Sequence, residues 1–335
     1  TAGRAFWILD DLSAIQQSAL KPDQVKIYTP KSTYKFEAFA PSWMVAPPGT
    51  GQNPTAGVLL DYFLPEKADT TVVTLQILDN NDNVIRSFTN IKNKDFKSFP
   101  GGPPAPTVIT AEKGINRFAW DFKSETLPEI PNAFVYGDYT GYRLAPGTYK
   151  GKINYKGMSS QTTFEVVNDP NLKDISKEQW TDQQSFMRDV ENKIKEIHNH
   201  VNDIRKVRKQ IEQYNEQYKS KDDFKSLTEA GKALIEKIDH WEAQLVQTKQ
   251  NNFQDVINFP SMLNAQYFEL KGFVDQHDPR VPQAAKIRMM DINKQWKSYQ
   301  DYMQDTIGKE IGLYNELYKK SNVPALFFNE KMIKP

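Results

Sequence analysis

The sequence predicts an α+β multidomain protein in which an immunoglobulin-like antiparallel β-sandwich is followed by a long antiparallel α-helical bundle. Up to Pro170 the chain has 15 of its 20 prolines and 12 of its 16 glycines, residues that interrupt helices and form turns. Beyond Pro170, apolar residues recur at alternating steps of three and four, the period of an amphipathic helix. We therefore expect a terminal strand with a linker at 1–54, the β-sandwich at 55–172 and the helical bundle at 173–335.

Short apolar runs between turn signals predict six strands, at 58–64, 72–78, 84–88, 116–122, 147–155 and 161–167. The residues at 79–83 are Asp and Asn, which tolerate left-handed backbone and favour a hairpin turn, and Lys156-Gly157 favours another. Several short strands of this kind are typical of an immunoglobulin-like sandwich. The proline-rich stretch 99–106 is predicted to be a connecting loop; the alternative is a polyproline-type ligand for an aromatic groove.

A capping signature opens the second half of the chain. Ser176 is followed three residues later by Gln179, which resembles a capping box, and Asp174 is a competing N-cap. A helix from Ser176 to Tyr218 would be about 65 Å long. Further helices are predicted at 224–245, 262–274 and 289–317.

The apolar residues of these helices form narrow seams, which are typical of antiparallel helix pairs. Because only a short polar link at 219–223 separates the first two helices, their seams are expected to face each other. The facing residues are predicted to be Ile194, Ile197, Val201 and Ile204 on one helix and Leu234, Ile238, Trp241 and Leu245 on the other. An alternative makes the helical pair a coiled coil that docks a partner protein.

Composition excludes several classes of protein. The chain has 43 Lys and Arg against 42 Asp and Glu, a formal charge of +1, which argues against a nucleic-acid binder. No apolar run approaches the ~18 residues of a membrane-spanning helix, so no transmembrane segment is expected. The absence of cysteine removes disulfides, thiolate metal sites and cysteine nucleophiles.

The four histidines give no catalytic or metal-binding pattern. His198 and His200 point about 200° apart on a helix and cannot share a metal ion. Both fall outside the seam and are expected to be solvated. His240 lies beside the seam residue Trp241, and His277 lies in a turn. We assign no catalytic residue, no cofactor-binding residue and no metal ligand, and expect no transition metal and no organic cofactor.

Two short motifs imitate binding sites without completing them. Asp79, Asn81 and Asn83 resemble the start of an EF-hand loop, but Val84 stands where Gly is needed and Asn90 where Glu is needed. A hairpin turn is therefore the preferred interpretation. The glycine-containing stretch 49–54 lacks the Lys-Ser/Thr of a P-loop.

The acidic and basic residues favour neither an acid/base pair nor a nucleic-acid patch. Asp10 and Asp11 are adjacent, and neighbours on a strand face opposite ways, so they make a poor acid/base pair. Asp121 is expected to hold the backbone at a strand end. Lys and Arg are dense at 188–209, interleaved with Glu and Asp. This pattern favours a solvated helix face over a nucleic-acid patch.

The opening segment 3–12 reads Gly-Arg-Ala-Phe-Trp-Ile-Leu-Asp-Asp-Leu. It resembles the segment that closes the β-propeller in a family of exported bacterial proteins, the Asp-box (BNR-repeat), sortilin-like proteins. These proteins are common in Bacteroidetes and are often labelled glycosyl hydrolases. The runs 57–62, 75–79, 114–121 and 144–149 are similar in order. The last two also resemble the immunoglobulin-like fold of flagellar hook-capping proteins. The Asp-box repeats themselves are absent from this sequence, so no catalytic residue is carried over.

This resemblance implies the C-terminal portion of an exported, propeller-containing protein of the periplasm or cell surface of a Gram-negative bacterium. The expected function is non-catalytic: scaffolding, or binding of a protein or glycan, beside an upstream β-propeller and other envelope proteins. The alternative is a hydrolase acting on glycans or peptides, with its active site in the propeller. The apolar run 5–9 has no adjacent hairpin partner and is expected to pair with strands outside this segment.

Overall fold

The computed structural model describes residues 11–18, 23–36, 55–276 and 278–322. Over this part the chain is mixed α/β, with two β-sheets and several long helices. Some features singled out in the sequence lie outside the described residues: the run 5–9, Asp10, the stretch 49–54 and His277.

The strands are β1 (Lys26–Ile27), β2 (Thr33–Lys35), β3 (Val58–Leu64), β4 (Val73–Leu78), β5 (Val84–Thr89), β6 (Gly114–Trp120), β7 (Gly147–Tyr155) and β8 (Met158–Asn168). One sheet has the order β1-β3-β6 and is antiparallel throughout. The other has the order β2-β8-β7-β4-β5 and is antiparallel except where β2 pairs with β8. All six predicted strands are present, whereas β1 and β2, from the region expected to be a linker, were not predicted.

The two predicted hairpin turns are confirmed. Asp79 accepts hydrogen bonds from the backbone N–H groups of Asn81 and Asn83 at 2.8 and 2.9 Å, so its carboxylate closes the turn between β4 and β5. Lys156 and Gly157 both have positive φ, +48° and +77°, between β7 and β8. Two central residues with positive φ match the right-handed twist of the flanking strands.

Side chains from both sheets share one buried cluster. Leu60, Tyr62 and Leu64 of β3 are completely buried. The ring of Trp120 on β6 lies 5.4 Å from that of Tyr149 and 6.0 Å from that of Phe164, both on the other sheet. The β-region therefore has a core built from facing apolar side chains.

The helices are α1 (Ser13–Gln17), α2 (Lys177–Tyr218), α3 (Lys225–Leu245), α4 (Leu263–Asp275), α5 (Gln283–Tyr302) and α6 (Lys309–Lys320). Ser176, not Asp174, caps α2: its hydroxyl accepts from Gln179 N at 3.3 Å and its N–H donates to Gln179 Oε1 at 2.9 Å. Among the residues described, no helix combines the length and apolar composition needed to cross a membrane.

The predicted seam between α2 and α3 is confirmed as a core. Ile194, Ile197 and Val201 are fully buried, and the four seam residues of α3 share a buried cluster with them. Ile204, at the edge of this cluster, is half-buried. Helix α2 packs against both α3 and α4.

A π-helical turn, Met303–Gly308, joins α5 to α6. Three successive four-residue steps, from Tyr299 through Met303 and Ile307 to Ile311, separate the apolar residues here. A regular seam alternates steps of three and four, so such a run would drift away from the core. The π turn holds more residues per turn and corrects the drift, and Ile307 is fully buried.

An irregular segment at 124–143, called here the linking segment, precedes the long helices in sequence yet packs against them. Its apolar residues Leu127, Ile130, Val135 and Tyr139 belong to the buried cluster of the helices rather than to that of the sheets. The segment is thus a third layer laid along α2, and it forms one wall of the site described next.

Candidate functional site

A row of polar residues on α2 holds the linking segment in place. Glu191, His198, Asn202 and Arg205 are separated by seven, four and three residues, which puts them on one face of the helix, beside the apolar seam. Each of them hydrogen-bonds the linking segment. We call this set the polar stripe.

Three members of the polar stripe bind carbonyl groups at positions 128, 129 and 131 of the linking segment. His198 Nδ1 lies 2.7 Å from the carbonyl oxygen of Pro128. Asn202 Nδ2 donates to the carbonyl of Glu129 at 2.8 Å, and an Arg205 guanidinium N–H donates to that of Pro131 at 2.8 Å. Backbone that belongs to no helix or sheet is therefore satisfied by α2 side chains.

The prediction that His198 is solvated was wrong, because the linking segment and α4 cover its side of α2. Its ring is fully buried, 5.9 Å from the ring of Tyr139 and 5.7 Å from that of Phe268. Burial lowers the pKa of His198 to about 4. The neutral ring must donate from Nδ1, since its partner there is a carbonyl.

The remaining histidines differ from His198. His200 is half-buried, with Nδ1 2.7 Å from the carbonyl of Glu196, so it is not freely solvated either. His240 is exposed. Within the described ranges, no three His, Asp or Glu side chains are grouped so that they could hold a metal ion.

A buried ion pair between Glu191 and Lys271 anchors both ends of the linking segment. Glu191 accepts from Tyr142 N at 2.8 Å and from Ser124 Oγ at 3.3 Å. Lys271 of α4 donates to the carbonyls of Thr140 and Asp138, and its Nζ lies 3.9 Å from Glu191. Burial raises the pKa of Glu191 and lowers that of Lys271, while each group stabilises the charge of the other.

The basic region 188–209 is consequently more than a solvated face. Arg205 is half-buried and also pairs with Glu242 of α3, at 2.6 Å. Lys206 is exposed, and among the residues that the structure describes it pairs only with Asp203. The prediction of a solvated face thus holds at Lys206 and is wrong at Arg205, because a basic residue beside the seam can reach a neighbouring element.

A cleft of about 540 Å³ lies between β5, the loop that follows it and the linking segment. Its lining comes from 86–88, 93–99, 103–107 and 125–132. We call it the junction cleft, because one wall belongs to the sheets and the other is held by the polar stripe. Its volume is in the range of small-molecule and cofactor sites.

The proline-rich side of the junction cleft contains two glycines, Gly101 and Gly102. Gly101 has φ +69°, and its carbonyl accepts from Val135 N at 3.3 Å. A Cβ on Gly101 would lie 2.5 Å from the Phe134 ring, and one on Gly102 would lie 2.7 Å from the Phe99 ring. Gly101, with its positive φ, therefore requires glycine, whereas a Cβ at Gly102 would displace only the outer end of the Phe99 ring. The Gly101 carbonyl ties the loop predicted at 99–106 to the linking segment.

Some charged groups of the junction cleft already form ion pairs or hydrogen bonds within the protein. Arg86 pairs with Asp121 at 2.9 Å, and Glu125 Oε2 accepts from Ser87 N at 3.3 Å. Asp121 also accepts from Lys123 N at 3.3 Å, which confirms its expected role at the strand end.

Other groups of the cleft remain available. The side chains of Asp95, Lys97 and Glu129 have no hydrogen bond or ion pair in the part of the chain that the structure describes. The half-buried ring of Phe96 lies beside them in the lining. The cleft thus presents two carboxylates, an ammonium group and an aromatic ring to a ligand.

Comparisons of the chain with protein-family models, with curated proteins and with solved structures find no match.

Proposed function

We propose that this chain is the non-catalytic scaffold and binding portion of an exported, propeller-containing protein of a Gram-negative cell envelope, and that its junction cleft binds a neutral glycan. The junction cleft carries this proposal. The resemblance of segment 3–12 to propeller-closing segments supports the exported, propeller-containing part.

In this proposal the β-region is an immunoglobulin-like sandwich and the helices form an antiparallel bundle. The shared core of the two sheets and the Trp120 contacts across it support the sandwich. The buried seams of α2 and α3, joined by a short link, support the bundle.

The chemistry of the junction cleft favours a sugar over a purely apolar ligand. A sugar ring offers an apolar C–H face and an edge of hydroxyl groups that both donate and accept hydrogen bonds. The Phe96 ring and the prolines of the loop can contact the apolar face. Asp95 and Glu129 can accept from hydroxyl groups, and the amides of Asn93 and Asn132 can donate and accept.

Rigidity of the cleft supports a binding role. Its outer wall is held by the hydrogen bond from Val135 N to the Gly101 carbonyl, and its inner wall by three carbonyl groups bound to α2 side chains. A site whose walls are ordered before binding avoids the entropic cost of ordering them.

The test is calorimetric titration of the 335-residue chain with neutral hexasaccharides, namely maltohexaose, cellohexaose and xylohexaose. We expect at least one to bind, and Phe96→Ala and Glu129→Gln each to weaken that binding by about tenfold or more. Glu316→Gln on α6, where the exposed carboxylate pairs with Lys319, is the matched control and should bind like wild type. The proposal is wrong if no hexasaccharide binds, or if the two cleft variants bind as well as the control.

A further inference from the structure

A second groove runs along the first three turns of α2. It encloses about 530 Å³ between α2, the start of β7 and the end of β8. Lys177, Thr181, Ser185 and Arg188 line it, at helical spacings of four, four and three. This spacing puts them on one face, and we call the feature the α2 groove.

The floor of the α2 groove is rigid. Trp180 is buried there, and its indole N–H donates to Asn168 Oδ1 at the end of β8, at 2.9 Å. The ammonium group of Lys35 lies over the Trp180 ring in a cation–π contact, 4.4 Å from the ring centroid. Trp180 therefore fixes the helix against the sheet, and the groove keeps its shape without a ligand.

The charge of the α2 groove has one sign. No acidic residue is among those that line it, whereas Lys177 and Arg188 are. In the described part of the chain the Lys177 side chain forms no hydrogen bond or ion pair, although the adjacent Glu178 carboxylate attracts it, and Arg188 has only the Ser185 hydroxyl, at 3.5 Å. Most other cations of α2 have an ion-pair partner, as Lys193, Lys195, Arg205, Lys206 and Arg208 do. The two unpaired cations are free to bind an anionic ligand.

Between the two cations, α2 contributes the polar side chains of Thr181, Gln184 and Ser185 to the lining. The hydroxyl of Thr181 donates to the carbonyl of Lys177 at 3.0 Å, so its lone pairs face outward as acceptors. Ser185 can act in the same way. These groups suit ligand hydroxyls, and the apolar lining residues Ala145, Pro146, Ile175 and Trp180 can contact the C–H face of a sugar ring.

We propose that the α2 groove binds an acidic oligosaccharide, with its carboxylate or sulfate groups on Lys177 and Arg188 and its hydroxyl groups on the residues between them. Eleven residues separate the two cations, about 16 Å along the helix axis. Only an elongated ligand reaches both, so a chain of sugars fits better than a single anion. The site shares no lining residue with the junction cleft and does not depend on the function proposed for it.

The experiment titrates the 335-residue chain with trigalacturonate, which carries three carboxylates, and with its methyl ester, which carries none. We expect trigalacturonate to bind and the ester to bind at least about tenfold more weakly. Lys177→Gln and Arg188→Gln should each weaken binding of the acid by about tenfold, and added salt should weaken it further. Lys232→Gln, at an exposed lysine of α3, is the matched control and should leave the affinity unchanged.

Several outcomes would overturn the proposal. Equal binding of acid and ester would show that charge is not recognised, and wild-type affinity in both groove variants would put the site elsewhere. Tighter binding of hexaglutamate than of trigalacturonate would indicate a groove for acidic peptides. Sulfate or phosphate binding as tightly as the oligosaccharide would indicate a single-anion site. Phe96→Ala, in the junction cleft, should not change trigalacturonate binding, so failures of the two proposals are distinguishable.

Discussion

The apolar seam and the polar stripe are neighbouring faces of α2, but only the seam could be predicted from the sequence as a buried surface. The apolar seam packs against α3, whose own apolar residues recur at the same three- and four-residue steps. The same spacing in both helices therefore indicates in the sequence that the two surfaces are buried. The polar stripe packs against the linking segment, which has no period at all. A buried helix surface can thus be predicted from the sequence when it packs against another helix, but not when it packs against an irregular segment.

The two faces also differ in how they hold their partners. The seam removes apolar area from water and works through shape and burial. The polar stripe binds carbonyl groups, so its contribution depends on hydrogen-bond geometry and on protonation. Substitutions should therefore separate the two faces by size of effect and by pH dependence.

The largest effect is expected in the seam. Val201 is fully buried, so Val201→Asp places an unpaired charge in the core and should lower the free energy of unfolding by about 4 kcal/mol or more. Truncating a buried neighbour, as in Ile197→Ala, should cost roughly 2–5 kcal/mol. Lys206→Ala, at an exposed position of the same helix, should cost less than about 0.5 kcal/mol. Comparable urea midpoints for Val201→Asp and Lys206→Ala would show that the seam is not a core.

Regular elements could be predicted from the sequence because their signals are local. The Ser176 cap, the Asp79 turn and the seam of α2 each depend on residues within a few positions of one another. The strands β1 and β2 could not be predicted, since each has only two or three residues and exists through pairing with distant strands.

The candidate site could not be predicted for a related reason. The junction cleft brings together residues from β5, the loop that follows it and the linking segment, which meet only in the folded chain. His198 carried one signal that could have been used: it directly follows the seam residue Ile197 and so lies on the flank of the seam. A flanking position is buried only if a third layer covers it, and nothing in the sequence shows that layer.

The second largest effect is expected in the polar stripe, as a pH dependence of stability. The pKa of His198 is lowered to about 4 in the folded chain, against an ordinary value of 6.5. Above pH 6.5 the ring is neutral in both states and contributes no pH dependence. As the pH falls from 6.5 to 4, the unfolded chain takes up a proton that the folded chain does not, so stability should decrease by of order 3 kcal/mol.

The measurement is the free energy of unfolding in urea at several values between pH 4 and 7. Carboxylates also titrate in this range, so the contribution of His198 is the difference between wild type and His198→Gln, which should be less sensitive to pH. His240→Gln, at the exposed histidine, should retain the wild-type slope. Identical slopes for all three proteins would contradict a buried neutral His198.

The smallest effect is expected at the edge of the polar stripe. Asn202→Ala removes one hydrogen bond to the carbonyl of Glu129, and because Asn202 is only half-buried, water can replace part of it. We expect a loss of about 1 kcal/mol relative to Asn192→Ala, an exposed position of α2 whose side chain has no hydrogen bond in the described part of the chain. Both substitutions change helix propensity equally, so their difference isolates the contact. Because Glu129 lines the junction cleft, Asn202→Ala should also weaken hexasaccharide binding while Asn192→Ala does not. Equal stability and equal affinity in the two variants would show that the polar stripe does not support the wall of the cleft.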